Sequence, residues 1–289
     1  MVGARLDNVQ VPVVSGYDAA APDFDRHRML PGGVPEAIRA AVLAAVGTTS
    51  RDATSRPHLL DLGAGSGRIG RAFVKARDDY VGADLSLGML QAFAGRSSRD
   101  DPEVPRLLRA DGRRLPFRDA TFDAVMMIQV FGGAGGGGRG LVGEARRVLR
   151  PAGVLVLGRS VGPDNGVDAR MKRRLAEILG EMGVRQDHRD GREEAEQQLA
   201  STARAENRVI VATWIAERTP RGFLDRHGTG ARFSALPADL KERALGRLAV
   251  WAVATFGSLD TTCREPNAFE LRVFDFDQEA GSRHAGIDR

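Results

Sequence analysis

Alternate glycines and three spaced carboxylates carry most of the chemistry legible in this chain. Leu59-Leu60-Asp61-Leu62-Gly63-Ala64-Gly65-Ser66-Gly67 is an apolar run that breaks into alternate glycines, with a carboxylate just before the first. Glycine has no Cβ and takes positive φ, so a backbone of this kind can turn sharply and come close to a ligand. Ile69, Phe73, Val74 and Ala76 follow at helical spacing. The turn is therefore expected to open a helix over Gly67 to Ala76 whose free N–H groups face a negatively charged group. The pattern is that of a strand entering a nucleotide-binding turn.

Two further strand ends supply acids. Tyr80-Val81-Gly82-Ala83-Asp84 reads as a second short strand whose last carboxylate can accept hydrogen bonds from both hydroxyls of a ribose. Arg106-Leu107-Leu108-Arg109-Ala110-Asp111-Gly112 repeats the design, with an acid placed to accept from an adenine amino group. Gly65-Ser66-Gly67-Arg68-Ile69-Gly70 also matches the dinucleotide fingerprint, with Asp84 at a suitable distance, so the turn and Asp84 leave two cofactor classes open. Asp111 separates them, because dinucleotide enzymes have no general need for a third acid.

With these residues in place the chain resembles the class I S-adenosylmethionine-dependent methyltransferases, in particular the small-molecule branch that includes the ubiquinone and menaquinone C-methyltransferases. Asp61 to Gly67 resembles that family's first motif, Asp84 its ribose acid, and Ala110-Asp111-Gly112 its adenine-contacting motif. Leu115-Pro116-Phe117 with Phe122-Asp123-Ala124-Val125 resembles its loop into the fourth strand. Glu144 to Gly153 resembles its helix into the fifth, with Ala152 where the family commonly has glycine. The matches run in order across residues 59 to 157.

The resemblance implies a cofactor, S-adenosylmethionine, with S-adenosylhomocysteine as product, and a role for each matching position. Gly63, Ala64, Gly65 and Gly67 would pass beneath the methionine and ribose portions, Asp61 would sit near the amino group, and Asp84 would hold the ribose. Asp111 and Gly112 would contact the adenine, with Leu85 and Met89 beside its ring. Gln129 would lie near the methionine part or the substrate. Tyr17, in a leading segment similar to one that folds over the cofactor in small-molecule methyltransferases, would approach the methionine carboxylate.

The elements that must position these residues alternate strand and helix. Pro35 to Val46 is an amphipathic helix, with Ile38, Val42, Leu43 and Val46 on one face. Phe122 to Gln129 and Val154 to Arg159 are apolar enough to be buried on both faces. Leu141, Val142, Ala145, Val148 and Leu149 form the stripe of a helix between them that Pro151 would end. Helices are expected at Val167 to Met182, Arg192 to Arg204 and Ala238 to Phe256, and strands at Arg208 to Trp214 and Ala268 to Phe276. The fold class is α/β: a Rossmann-like, doubly wound, seven-stranded sheet, mostly parallel with an antiparallel last strand, plus a helical cap insertion. Residues 1–56 would cover the cofactor site, 57–215 form the core, 216–266 the cap, and 267–289 the last strand and tail.

The chain has 289 residues, more than the roughly 200 of a lone core of this type. Its net charge is +4, from 42 basic and 38 acidic residues, with 6% aromatics and both signs interspersed, which argues against a nucleic-acid substrate. No apolar run reaches the ~18 residues of a membrane helix. No secretory signal is apparent near Arg5 and Asp7, so the cytoplasm is the expected compartment. Cys263 is the single cysteine, and the five histidines lack zinc-ligand spacing, so no metal site is expected. The oligomeric state is not legible.

The acceptor half of the site has weaker signals. Arg221, Arg226, His227, Arg232 and Ser234 lie close together in the cap segment, and convergent arginines there suit an acidic group on a small-molecule substrate. A general base, where one is needed, would come from His27, His188 or His227. The glycine tract from Gly132 to Gly138 lies where a lid over the substrate mouth would be useful. The expected function is methyl transfer to an oxygen, nitrogen or carbon nucleophile. The alternatives are a nicotinamide-dependent oxidoreductase and a non-catalytic S-adenosylmethionine-binding module.

Overall fold

The structure is a computed structural model and describes residues 17–18, 21, 24–25, 28–47, 56–95, 103–132, 137–184, 191–228 and 236–276. Its elements in order are α1 (Val34–Gly47), β1 (His58–Leu62), α2 (Gly70–Lys75), β2 (Asp79–Asp84), α3 (Leu87–Ala94), β3 (Arg106–Arg109), β4 (Phe122–Ile128), α4 (Gly138–Val148), β5 (Leu149–Val161), α5 (Val167–Glu181), α6 (Gly191–Thr202), β6 (Ala205–Arg218), α7 (Pro220–Gly228), α8 (Ala238–Phe256) and β7 (Cys263–Asp275). The strands form one seven-stranded sheet in the order β3-β2-β1-β4-β5-β7-β6. β1 pairs in parallel with β2 and β4, β2 with β3, and β4 with β5. β7 runs antiparallel to both neighbours, as a reversed last strand requires.

Two hydrophobic layers sandwich the sheet. On one face Leu59, Ala124, Met126, Val156 and Phe269 meet α1, α2 and Phe93 of α3. The α1 stripe Val34, Ile38, Val42 and Val46 is buried as its spacing predicts, each such side chain contributing about 1.5–3 kcal/mol. On the other face Leu60, Leu62, Val125, Met127, Leu155 and Leu157 meet Val142, Ala145 and Val148 of α4 and Ala195 and Leu199 of α6. A third core, with Met171, Leu175 and Ile178 of α5, Phe223 of α7 and Ala244, Leu248 and Ala252 of α8, stands apart from the sheet. Residues 216–266 thus hold the end of β6, α7, α8 and the start of β7, and α5 joins their helices from between β5 and β6.

Two local expectations change. The helix after the glycine turn begins at Gly70, later than Gly67, because Gly67 itself has φ +79° and cannot be a helical residue. Pro151 does not end α4: the helix stops at Val148, and Pro151 lies inside β5. It is tolerated there because the β4–β5 register breaks between Phe122 and Ala124, leaving a bulge where a missing N–H costs no ladder bond. Ala152 in that bulge has φ +67°, which explains the preference for glycine at the position. Of the glycine tract, Gly133 to Gly136 lie outside the described residues, while the N–H groups of Gly137 and Gly138 donate to Glu194 Oε2 of α6 at 2.7 and 3.1 Å. Among the described residues no helix is long and apolar enough to cross a membrane.

Candidate functional site

The chain leaves β1 toward β2 on one side and returns to β4 on the other, so the carboxyl end of β1 is the topological switch point where open α/β sheets bind ligands. The Gly63–Gly67 turn stands there, and its three glycines all have positive φ for different reasons. A Cβ on Gly63 would strike Val130 at 2.6 Å, and one on Gly67 would strike Phe93 at 2.2 Å, so both are required by packing. Gly65, φ +56°, would meet nothing nearer than its neighbour's carbonyl at 3.9 Å. The space above Gly65 is open to a ligand. Ala64, between them, is buried, and its N–H donates to the Ala83 carbonyl at 3.1 Å, tying the turn to β2.

Strand alternation puts Asp61 on the face of Leu59, under α2, where it is 3% exposed. The Tyr80 hydroxyl donates to Asp61 Oδ2 at 2.7 Å. Tyr80 reaches it through a slot between glycines: a Cβ on Gly70 would meet the hydroxyl at 2.1 Å, and one on Gly82 at 3.2 Å. Gly70 of the dinucleotide-like fingerprint is thus explained by a tyrosine. Burial pushes the Asp61 carboxyl up to about 7; the Tyr80 hydrogen bond opposes this, and the nearby Asp84 charge adds to it.

Asp84, at the end of β2, accepts from Gly65 N–H through Oδ2 and from Ser86 N–H through Oδ1, each at 2.8 Å. Burial raises its pKa, and these amides hold it down. Ser86 caps α3 by accepting from Met89 N–H at 3.2 Å, and its hydroxyl donates to Asp18, which also accepts from Gly88 N–H. Asp18 thereby pins the leading segment over the acid. Its neighbour Tyr17 packs edge-on against Phe24. Met89 is buried, and Leu85 is half-buried, its carbonyl accepting from Arg109.

Asp111 lies beyond β3 and is held by Arg113, whose guanidinium and N–H donate to the carboxylate at 2.7 to 3.2 Å. The Arg113 hydrogen bonds lower its pKa. Gly112 leaves room for Leu141 and Leu62, whose side chains a Cβ would meet at 2.6 and 2.9 Å. Across the switch point, Gln129 has φ +58°, a strained conformation for a side-chain-bearing residue. It accepts from Arg68 at 2.6 Å and donates to Ser160 Oγ at 3.0 Å.

Beside Gln129 lies a cavity of about 560 Å³ lined by Arg28 to Pro31, Arg68, Gln129, Ser160, Trp214 to Arg218 and Arg226. Of the expected substrate residues, only Arg226 lines it, bound to Asp168. Arg221 instead forks onto exposed Asp260 at 2.6 and 2.8 Å, away from the cavity, and so is corrected to a surface pair. Arg232 and Ser234 lie outside the described residues, as do His27 and His188. His227 stacks on Phe223 at 3.7 Å with Nδ1 3.0 Å from the Phe223 carbonyl, and burial pulls its pKa down to about 4. It is a neutral, half-buried imidazole, apart from the residues that line the cavity. Among the described residues no group of three or more His, Cys, Asp or Glu could hold a metal ion.

Tyr80, Arg28 and Arg68 were missed from sequence. For Tyr80 a signal exists: β2 alternation places it on the face of Asp84, beside Gly82 of its own strand and facing Gly70 of α2.

Residues 60–157, from β1 through the three acids to β5, match the family described as a methyltransferase domain. The chain is similar to the demethylmenaquinone methyltransferase of Streptomyces griseus, 37% identical over 126 residues, which are 43% of this chain and 50% of that protein. It is also similar to the demethylmenaquinone methyltransferase of Thermobifida fusca, 34% identical over 126 residues, 43% of this chain and 51% of that protein. The chain thus spans about half the length of these curated relatives. The chain shares a fold with the YcgJ protein from Bacillus subtilis, at TM-score 0.51 and 18% identity, over 83% of this chain and 100% of that one.

Proposed function

We propose that this protein is an S-adenosylmethionine-dependent methyltransferase acting on a small-molecule acceptor. The observation that carries the reading is the reversed strand β7 inserted between β5 and β6, on a sheet whose switch point holds Gly65 and Asp84. A dinucleotide-binding sheet of order 3-2-1-4-5-6 passes directly from its fifth strand to its sixth. The relatives named as demethylmenaquinone methyltransferases support an acceptor of small-molecule, quinone-like size.

The residues present fit the cofactor. A Cβ at Gly65 would project into open space at the switch point, and Asp84 is a half-buried carboxylate with acceptor capacity left beside its backbone donors. Asp84 would take the ribose hydroxyls, Asp111 and Gly112 the adenine with Leu85 and Met89 against its face, and Asp61 and Tyr17 the methionine end. The bound cofactor supplies an electrophilic methyl group already activated on sulfur. The chain's own part is then to hold an acceptor nucleophile in line and exclude water, with Gln129 and Arg68 at the boundary of the two half-sites.

Calorimetric titration with S-adenosylhomocysteine and with nicotinamide dinucleotides tests the reading. The expected result is binding of S-adenosylhomocysteine alone, weakened at least about tenfold by Asp84→Ala through loss of hydrogen bonds to a charged group. Binding of a dinucleotide without S-adenosylhomocysteine would sink it, and methyl-transfer turnover separates an enzyme from a silent binding module.

A further inference from the structure

The lining of the cavity beside Gln129 holds more cations than anions. Four guanidiniums line it, Arg28, Arg68, Arg218 and Arg226. Asp168 binds both Arg226 and Arg218, and Glu217 also lines the cavity. Arg68 lies 3.6 Å from Asp25 and donates to the Arg28 carbonyl and Gln129, which leaves two of its five N–H donors for a ligand. Arg28 has no carboxylate among the described residues: it donates to the carbonyls of Phe24 at 3.2 Å and Arg226 at 2.8 Å, and sits 4.4 Å over the Phe24 ring.

Taking a cation out of water is costly unless an anion compensates it. Burial lowers the pKa of Arg28, and lowers that of Arg68 to about 10, the mutual repulsion of the pair adding to the latter. An anion in the cavity reverses that cost. Besides the arginines, Glu217, Gln129 and Ser160, the lining is apolar: Met29 and Ile215 stand 68% and 56% exposed at the mouth, beside Leu30, Pro31 and Trp214. About 560 Å³ is within the range of small-molecule sites. Arg68 and Gln129 join the cavity to the glycine turn, since Arg68 directly follows Gly67.

We propose that this cavity is the acceptor site and that it takes an anionic small molecule, a carboxylate or phosphate ester on an apolar or aromatic body, with the anion held by Arg28 and Arg68. The word acceptor rests on the methyltransferase reading; the preference for an anion does not. The fork geometry of both arginines suits two-oxygen anions, and Trp214 with the exposed apolar rim suits a flat body.

The test titrates the full chain, with and without S-adenosylhomocysteine, with 2-naphthoate against 2-naphthamide and with 2-naphthyl phosphate against 2-naphthol. At least one anion is expected to bind about tenfold more tightly than its neutral counterpart, the worth of a charge-assisted hydrogen bond. Arg28→Gln should erase that preference, and Arg28→Lys should retain part of it. Equal binding of each pair, no binding by any probe, or a preference that survives Arg28→Gln overturns the proposal. Should Arg28→Gln fail to melt cooperatively, Arg68→Gln serves, with loss of the preference as the required result. If S-adenosylhomocysteine does not bind while the anion preference holds, the methyltransferase reading fails and the anion site stands.

Discussion

Asp61 is held at a cost to stability that pH should expose. Its carboxyl is buried against Tyr80, and its pKa rises from 3.8 to about 7. Because the folded-state value is the higher one, the unfolded chain ionises first. The stabilising contribution is therefore fully present below pH ~4, is lost at up to about 1.4 kcal/mol per pH unit as pH climbs toward 7, and levels off above it. The full loss is about 4 kcal/mol, of which about 2.5 kcal/mol falls between pH 5 and pH 8. Asp61→Asn keeps an oxygen for the Tyr80 hydroxyl and removes the titration. Urea unfolding of both proteins at pH 5, 6, 7 and 8 isolates it, since the other carboxylates are common to both. The stability of Asp61→Asn relative to the parent should rise by about 2.5 kcal/mol over that range. A difference that stays flat from pH 5 to pH 8 would falsify the assignment of Asp61 as the buried, titrating acid. Under the proposed function the same variant should bind S-adenosylhomocysteine with no gain on raising the pH, whereas the parent gains affinity as Asp61 ionises toward the cofactor's ammonium.

Gly65→Ala meets no protein atom within 3.9 Å, so it should cost only about 1–2 kcal/mol of backbone strain yet abolish S-adenosylhomocysteine binding by calorimetry. Gly67→Ala drives a methyl into Phe93 and should cost about 2–4 kcal/mol of folding stability, read by denaturant melting. Ala152→Gly relieves φ +67° at the β5 bulge and should raise stability by about 0.5–1 kcal/mol; a decrease would show that the bulge is not strained. Tyr80→Phe leaves the Asp61 carboxylate without its donor and should destabilise by about 1–3 kcal/mol at pH 8 and by less at pH 5, where Asp61 is mostly protonated.

The glycine turn and the parallel part of the sheet were legible because their signals are local. Asp61, Asp84 and Asp111 each close an apolar run, so strand ends and acids could be read together, and the parallel sheet followed from their spacing. Segment types held even where boundaries moved: β5, for example, starts at Leu149, five residues before the expected Val154, because its bulge accommodates Pro151. The acceptor half was less legible. Arg221 and Arg226 stand five positions apart in sequence, yet one forks onto an exposed aspartate while the other lines the cavity. Nothing in their local pattern distinguishes them.

Sequence by itself determined the order of the strands' acids and the glycine turn, because backbone conformation and short-range periodicity are properties of neighbouring residues. Tertiary structure alone decided which charges meet. Arg28 and Arg226 are 198 positions apart and touch only because the leading segment, β6 and α7 converge at the same end of the sheet. Tyr80 finds Asp61 only across two paired strands and beneath a helix. Burial, and with it the cost of each buried charge, is a property of the folded assembly, so the identity of the acid that titrates near neutrality and of the arginine left without a carboxylate had to await the fold.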